Sequence, residues 1–187
     1  MRRAVLLLLL ALGGCADPNP PAVELSARFT PPSADWLTAH NALTPAAMKG
    51  ACAIRLVEVR DARADMRSMG TIGARMIDEP DSVAWMRSGF DTLKRDARIS
   101  FADGGKAMDL KVEILKAYML SITEAKTTNI VVRIDYGGAQ PEGVYRGTDT
   151  GLNWASGSGE TQSSFDRAMA QLMASIDEDI VARCARM

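Results

Sequence analysis

Apolar and polar side chains alternate in three stretches of this chain and recur at helical spacing in two more. Cys52, Ile54 and Leu56 alternate along the β-rich run 52–59, which predicts a first strand. Met108, Leu110, Val112 and Ile114 alternate with Asp109, Lys111 and Glu113. Ile130, Val132, Ile134 and Tyr136 alternate with Val131, Arg133 and Asp135. Both patterns predict strands with one face toward a core. Gly137-Gly138 and Pro141-Glu142-Gly143 mark a hairpin turn, so residues 144–150 should pair back as a shorter strand. Between the first two strands lies a charged loop, a short extra strand at 71–77, and a helix start at Pro80-Asp81. Val83, Met86, Phe90, Leu93 and Ala97 then make one apolar face of a helix over 81–97. Ser163 and Asp166 have the spacing of a helix cap. Phe165, Met169, Leu172, Ile176 and Ile180 line the helix that follows, which ends near Cys184.

The order β-α-β-β-β-α predicts an α+β fold: one mixed sheet with two helices on one face. The last three strands suit a meander. The first must cross over through the helix, which favours a parallel pairing.

The amino terminus has a different pattern. Arg2 and Arg3 precede a nine-residue apolar run at 4–12, then Gly13, Gly14 and Cys15. Nine apolar residues fall short of the roughly 20 that a helical span needs, so residues 1–14 are expected to be a secretory signal peptide. The Leu12-Gly13-Gly14-Cys15 ending resembles the lipobox of bacterial lipoproteins. That resemblance implies acylation of Cys15 and cleavage before it; a plain signal peptide with an incidental Cys15 is the alternative. Removing residues 1–14, with Arg2 and Arg3, leaves 173 of the 187 residues. The basic count falls from 22 to 20 against 23 acidic, a net charge of −3. Such a chain has no electrostatic drive toward nucleic acid or anionic lipid, and its membrane partner is reached through acyl chains. The second mature residue is Ala16, with Asp17 third, which by the same resemblance favours the periplasmic face of the outer membrane over the inner membrane.

Six of the eight prolines lie between residues 18 and 45. Residues 15–34 therefore read as the lipidated cysteine and a proline-rich tether, and 35–187 as a single periplasmic domain. Trp36, Leu37, Leu43 and Met48 suit an arm packed on that domain. The composition of the whole chain, 47% hydrophobic and 24% charged, is that of a globular protein and excludes a disordered chain or a collagen-like repeat.

Several of these features occur together in one family. The lipobox, the Val59-Arg60-Asp61-Ala62-Arg63 strand end, the Asp109-to-Tyr118 strand, the Tyr145-Arg146-Gly147 strand and the closing amphipathic helix resemble the YajG family of bacterial lipoproteins. The resemblance spans most of residues 15–184. It implies a small α+β periplasmic domain on a lipid anchor.

The chain offers little catalytic chemistry. Its one histidine, His40, has no acid–base partner near in sequence. HExxH, CxxC, GxGxxG and P-loop patterns are absent. Gly157-Ser158-Gly159 lacks the glycine spacing of a nucleophile elbow and reads as a flexible loop. No cofactor or metal site is expected, and the protein is not expected to be an enzyme. Asp61, Arg63 and Asp65 suit local ion pairs or a turn, or else a partner-binding edge. Asp177-Glu178-Asp179 reads as a solvated face of the last helix, with an acidic contact for a basic partner as the alternative. Trp154 is a candidate partner anchor or a cover for the sheet edge. The eleven methionines either fill the core or line an apolar groove. With Cys15 acylated, Cys52 and Cys184 remain in an oxidising compartment; both sit on core-facing positions and are expected to form a disulfide, with two buried free thiols as the alternative.

Two functional expectations follow. One is a non-catalytic envelope lipoprotein that binds another protein or acts as an accessory component. The alternative is a lipid- or small-ligand-handling auxiliary subunit of an envelope transport system, which requires an apolar cavity between sheet and helices.

Overall fold

The structure, a computed structural model, describes residues 20–39, 52–78, 81–96, 98–103, 106–138, 140–152 and 157–187. It is a mixed α/β fold of eight strands in two sheets and three helices. The larger sheet holds β2 (Cys52–Asp61), β5 (Ile99–Phe101), β6 (Met108–Ser121), β7 (Ala125–Asp135) and β8 (Gly143–Leu152) in the order β5-β2-β6-β7-β8. β2 runs parallel to both β5 and β6, while β6, β7 and β8 form an antiparallel meander. The smaller sheet joins β1 (Val23–Glu24), β4 (Arg75–Asp78) and β3 (Thr71–Ile72).

Two bulges shape the larger sheet. The β2–β6 register slips between Leu56 and Glu58, so inward positions move from Cys52 and Ile54 to Val59, and Val57 is turned out. A second slip between Ile114 and Lys116 moves the inward positions of β6 to Ala117 and Met119. Beyond that bulge, β6 continues seven residues past the alternation visible in the sequence, which stops at Ile114. The backbone of Met69 and Gly70 meets Met119 there: the Met119 N–H donates to the Met69 carbonyl at 2.8 Å. Gly70 has φ +97°, and a Cβ on it would strike the Met119 carbonyl.

The helices are α1 (Ala34–Ala39), α2 (Ser82–Phe90) and α3 (Ser158–Cys184). Asp81 caps α2 by accepting the Ala84 N–H at 2.8 Å, and a 3-10 helix, Asp91–Arg95, replaces the second half of the helix expected over 81–97. α3 packs on β8, β7 and β2, and α2 packs on β2 and α3. The layer between is filled by Ile54, Leu110, Ile114, Ile130, Val132, Phe90, Phe165, Met169, Leu172 and Ile176, all fully buried. Gly147 lets α3 press on β8, because a Cβ there would run into the Ala168 carbonyl and Leu172.

Several expectations need correction. Residues 15–34 are not all tether: Val23 pairs with Ile77, and Val23, Leu25 and Phe29 are buried in the core. The Phe29 N–H reaches Ser88 Oγ at 2.8 Å. β1 and β5 are too short for periodicity to show. Gly157-Ser158-Gly159 is the start of α3 rather than a flexible loop, with Gly157 at the cap position. Ser163 and Asp166 lie inside that helix: Ser163 Oγ donates to the Gly159 carbonyl, and Asp166 accepts from Gln162 and the Thr30 N–H. His40, Leu43 and Met48 lie outside the described residues.

Candidate functional site: the uncovered face of the sheet

Cys52 opens β2 and Cys184 closes α3, and a disulfide joins them with Cα atoms 5.5 Å apart. Cys52 is buried and Cys184 half-buried against the core. The core-facing spacing of the two residues was enough to find this pair.

Asp61 and Arg63 meet in the structure, but not as an exposed edge. The Arg63 guanidinium donates to Asp61 through Nη2 at 2.7 Å and Nε at 3.0 Å, and Ser82 Oγ donates to Asp61 at 2.7 Å. The Arg63 side chain is 4% exposed and Asp61 14%. Burial opposes ionisation of Asp61, yet the hydrogen bonds from Arg63 and Ser82 prevail and hold its carboxyl below the usual range. The cluster ties the end of β2 to the start of α2, which makes it a joint rather than a partner surface. Asp65 stands apart, accepting the Arg67 N–H at 2.9 Å. Cys15 and Trp154 lie outside the described residues.

The acidic run of α3 is also engaged, contrary to the solvated face expected for it. Asp179 takes hydrogen bonds from Tyr136, Tyr145 and Arg183, and the Arg183 guanidinium lies 3.9 Å from the Tyr136 ring centre. Burial and the neighbouring hydroxyl push the Tyr136 phenol upward. Asp177 shares Arg98 with Asp96. Burial, then the Asp96 carboxylate, raise the Asp177 carboxyl to about 7, against the pull of Arg98. Glu178 alone of the three is exposed.

A polar layer lies beneath the first half of α3. Lys126, on the inward face of β7, is 1% exposed and paired with Glu160. Thr128 meets Ser164 at 2.8 Å, Ser164 Oγ donates to Asp149 at 2.7 Å, and Arg167 clamps Asp149 through Nε at 2.9 Å and Nη2 at 2.8 Å. These groups satisfy one another. The Ser164 hydroxyl is bound between Thr128 and an arginine-clamped carboxylate, so nothing in this arrangement would activate it as a nucleophile. Among the described residues, no cluster of three His, Cys, Asp or Glu side chains is placed to hold a metal ion.

The opposite face of the sheet is different. Arg55–Asp109, Arg60–Glu113, Arg133–Glu113 and Lys111–Asp135 form a mosaic of ion pairs across β2, β6 and β7. Such exposed pairs contribute little to stability and leave their charges accessible. A groove of about 320 Å³ runs between them, its walls including Glu58, Arg60, Lys111, Glu113, Arg133 and Glu142. Toward the β6–β7 hairpin this face turns apolar. Tyr118, Leu120 and Ile122 are 38%, 59% and 63% exposed, and Leu152 is 58%. The registers put Leu120 beside Thr127 and Thr150, and Ala125 beside Leu152, so these side chains share one side of the sheet. The sequence reading missed this patch. Its signal was the persistence of apolar residues on both parities past Ile114: Tyr118, Leu120 and Ile122 keep the parity of Ile114, and the bulge turns them outward.

No protein-family profile matches the chain, and no curated protein sequence matches it. Among solved structures, one of an uncharacterized protein is similar over 75% of this chain and 95% of its own, with 11% identity and a TM-score of 0.43.

Proposed function

We propose that the chain is a non-catalytic lipoprotein, anchored through acylated Cys15 to the periplasmic face of the outer membrane, whose domain binds another envelope protein. The reading takes the five-stranded sheet, with helices on one face, as the frame and the bare face as the docking surface. The observation that carries it is the contrast between the faces. One is closed by a filled core. The other carries a charged groove toward the β7–β8 turn and exposes Tyr118, Leu120, Ile122 and Leu152 toward the β6–β7 hairpin. Large apolar side chains gathered on one exposed face mark interaction sites. A lipid-handling role needs an open apolar cavity between sheet and helices, and the packing of Phe165, Met169, Leu172 and Ile176 there favours the protein-binding reading. The locking of Ser164 onto Asp149, and of Lys126 onto Glu160, supports a non-enzymatic role.

Membrane fractionation tests the anchor. Cys15→Ala should release the protein from membranes or leave the precursor uncut; a variant that stays bound and correctly processed refutes it. A photo-crosslinking residue at Leu120 tests the surface. It should capture a defined envelope protein that the same residue at Arg87, exposed on α2, does not.

A further inference from the structure

The two edges of the larger sheet are unlike each other. β5 is three residues long and so offers little backbone for another strand. β8 is ten residues long, and its register against β7 runs from Leu152 to Gly143 without a shift. It contains no proline. Among the described residues no strand pairs with its outer edge. Edge strands are ordinarily protected by shortness, proline, a bulge, a projecting or inward-pointing charge, or a covering helix or loop. β8 has none of the first three, and its inward charge, Asp149, is neutralised by the Arg167 clamp. Its outward charge, Arg146, is turned back across the sheet, with Nε donating to Asn129 Oδ1 of β7 at 3.1 Å.

We infer that two copies of this chain pair edge to edge through β8, antiparallel about a two-fold axis at Thr148, to make one continuous sheet. The register is set by the side chains on the uncovered face. An axis at Thr148 puts that residue beside its own copy, Arg146 beside the partner's Thr150, and Val144 beside the partner's Leu152. Val144 and Leu152 are the two exposed apolar side chains of the strand, at 65% and 58%. The pairing covers both, twice over, because the interface is self-complementary. Neighbouring registers do not. An axis at Asp149 sets two carboxylates opposite each other, and one at Arg146 sets two guanidiniums opposite each other. One at Gly147 leaves Val144 against the partner's Thr150. Axes between residues would place inward side chains opposite outward ones. β8 is also the main packing partner of α3, so the same operation brings the two long helices over adjacent strands on the covered face. This dimer does not depend on the membrane anchor.

Thr148→Cys in the full-length chain tests the axis, because paired antiparallel strands hold facing Cα atoms about 4.5–5.5 Å apart, within disulfide reach. Mild oxidation of intact cells that make it should give a covalent dimer on a non-reducing gel. Thr150→Cys lies on the same face but about 13 Å along the strands from its copy, and should give none. Light scattering on the detergent-solubilised chain tests the register independently. Val144→Lys alone and Leu152→Glu alone should each weaken the dimer about a hundredfold, since the symmetry applies each change twice. The Val144→Lys, Leu152→Glu double variant should recover most of that loss by pairing opposite charges. A wild-type chain that is monomeric throughout, a Thr148→Cys variant that does not crosslink, or equal crosslinking at Thr150→Cys each overturns the proposal.

Discussion

Removing the Cys52–Cys184 bond should cost this domain a large part of its stability. The bond spans 132 residues, from the first position of β2, next to the β5 edge, to the last turn of α3. In the chain-entropy description a cross-link restricts the unfolded chain, and the effect grows with the logarithm of the loop; a loop of this size corresponds to about 5 kcal/mol at 25 °C. Natural domains have roughly 5–15 kcal/mol in all, so the loss is a substantial fraction of the whole. The perturbation is Cys52→Ala with Cys184→Ala, which avoids leaving a lone thiol. Urea unfolding, followed by circular dichroism, reads two quantities. The midpoint should fall steeply. The denaturant slope should rise, because the unfolded chain, no longer tied into a loop, exposes more surface. A change under about 1.5 kcal/mol with an unchanged slope would refute the entropic account. Two alkylatable thiols in the unfolded, unreduced wild-type protein would refute the bond itself.

Three further outcomes are expected. Val132→Asp places a charge on a fully buried inward position and should cost several kcal/mol in chemical unfolding, whereas Val131→Asp, on the uncovered face opposite Lys116 and Arg146, should cost under about 1 kcal/mol; equal damage would mean both faces are covered. Gly147→Ala should lower the melting temperature by several degrees, because its methyl group meets the Ala168 carbonyl, and a neutral result would mean α3 has room to lift off β8. Stability should fall as pH rises from about 4 to about 7: Asp177, raised to about 7, and Asp166, raised by burial to about 6, bind protons in the folded state that the unfolded chain has already lost. Asp61, Asp96 and Asp179 are shifted downward and act only at lower pH, so Asp177→Asn should flatten most of the slope in this window; an unchanged slope would acquit Asp177.

The parts of the fold that were legible in the sequence are those where one apolar face meets one core. Ile130, Val132 and Ile134 alternate because their strand has a helix on one side and water on the other. The stripe from Phe165 to Ile180 is legible for the same reason, and so is the cysteine pair, which each of those patterns turns inward. Bulges defeat such a reading. At Val57 and Leu115 an extra residue reverses parity, so Leu56 loses its full burial while Ala117 and Met119 gain it. The arm that adds β1 was unreadable for another reason. Val23, Leu25 and Phe29 sit between prolines, and their burial depends on a β4 partner more than fifty residues away. The partner surface fell to the same limit: an exposed leucine on a bulged strand has no periodic signature until the register is known.

The first five residues of β7 show how polar positions can fix what apolar ones leave loose. Lys126 and Thr128 point inward yet break the alternation, so the strand appears to begin at Ile130. They are tolerated because α3 brings Glu160 and Ser164 over them, and Ser164 in turn reaches Asp149 on β8. A slide of α3 along the sheet is opposed at Gly147, which fits the Ala168 carbonyl and Leu172, and by the Cys52–Cys184 bond. A one-turn shift would strand the Lys126 ammonium and the Asp149 carboxylate without partners, a cost of several kcal/mol that sliding could not recover. The polar half of the helix therefore joins the Gly147 seat and the disulfide in setting its position along the sheet, while the apolar half holds it down. Among the described residues no helix packs on the opposite face of the sheet, and it is there that Leu120 of β6 and Val144 and Leu152 of β8 stand exposed.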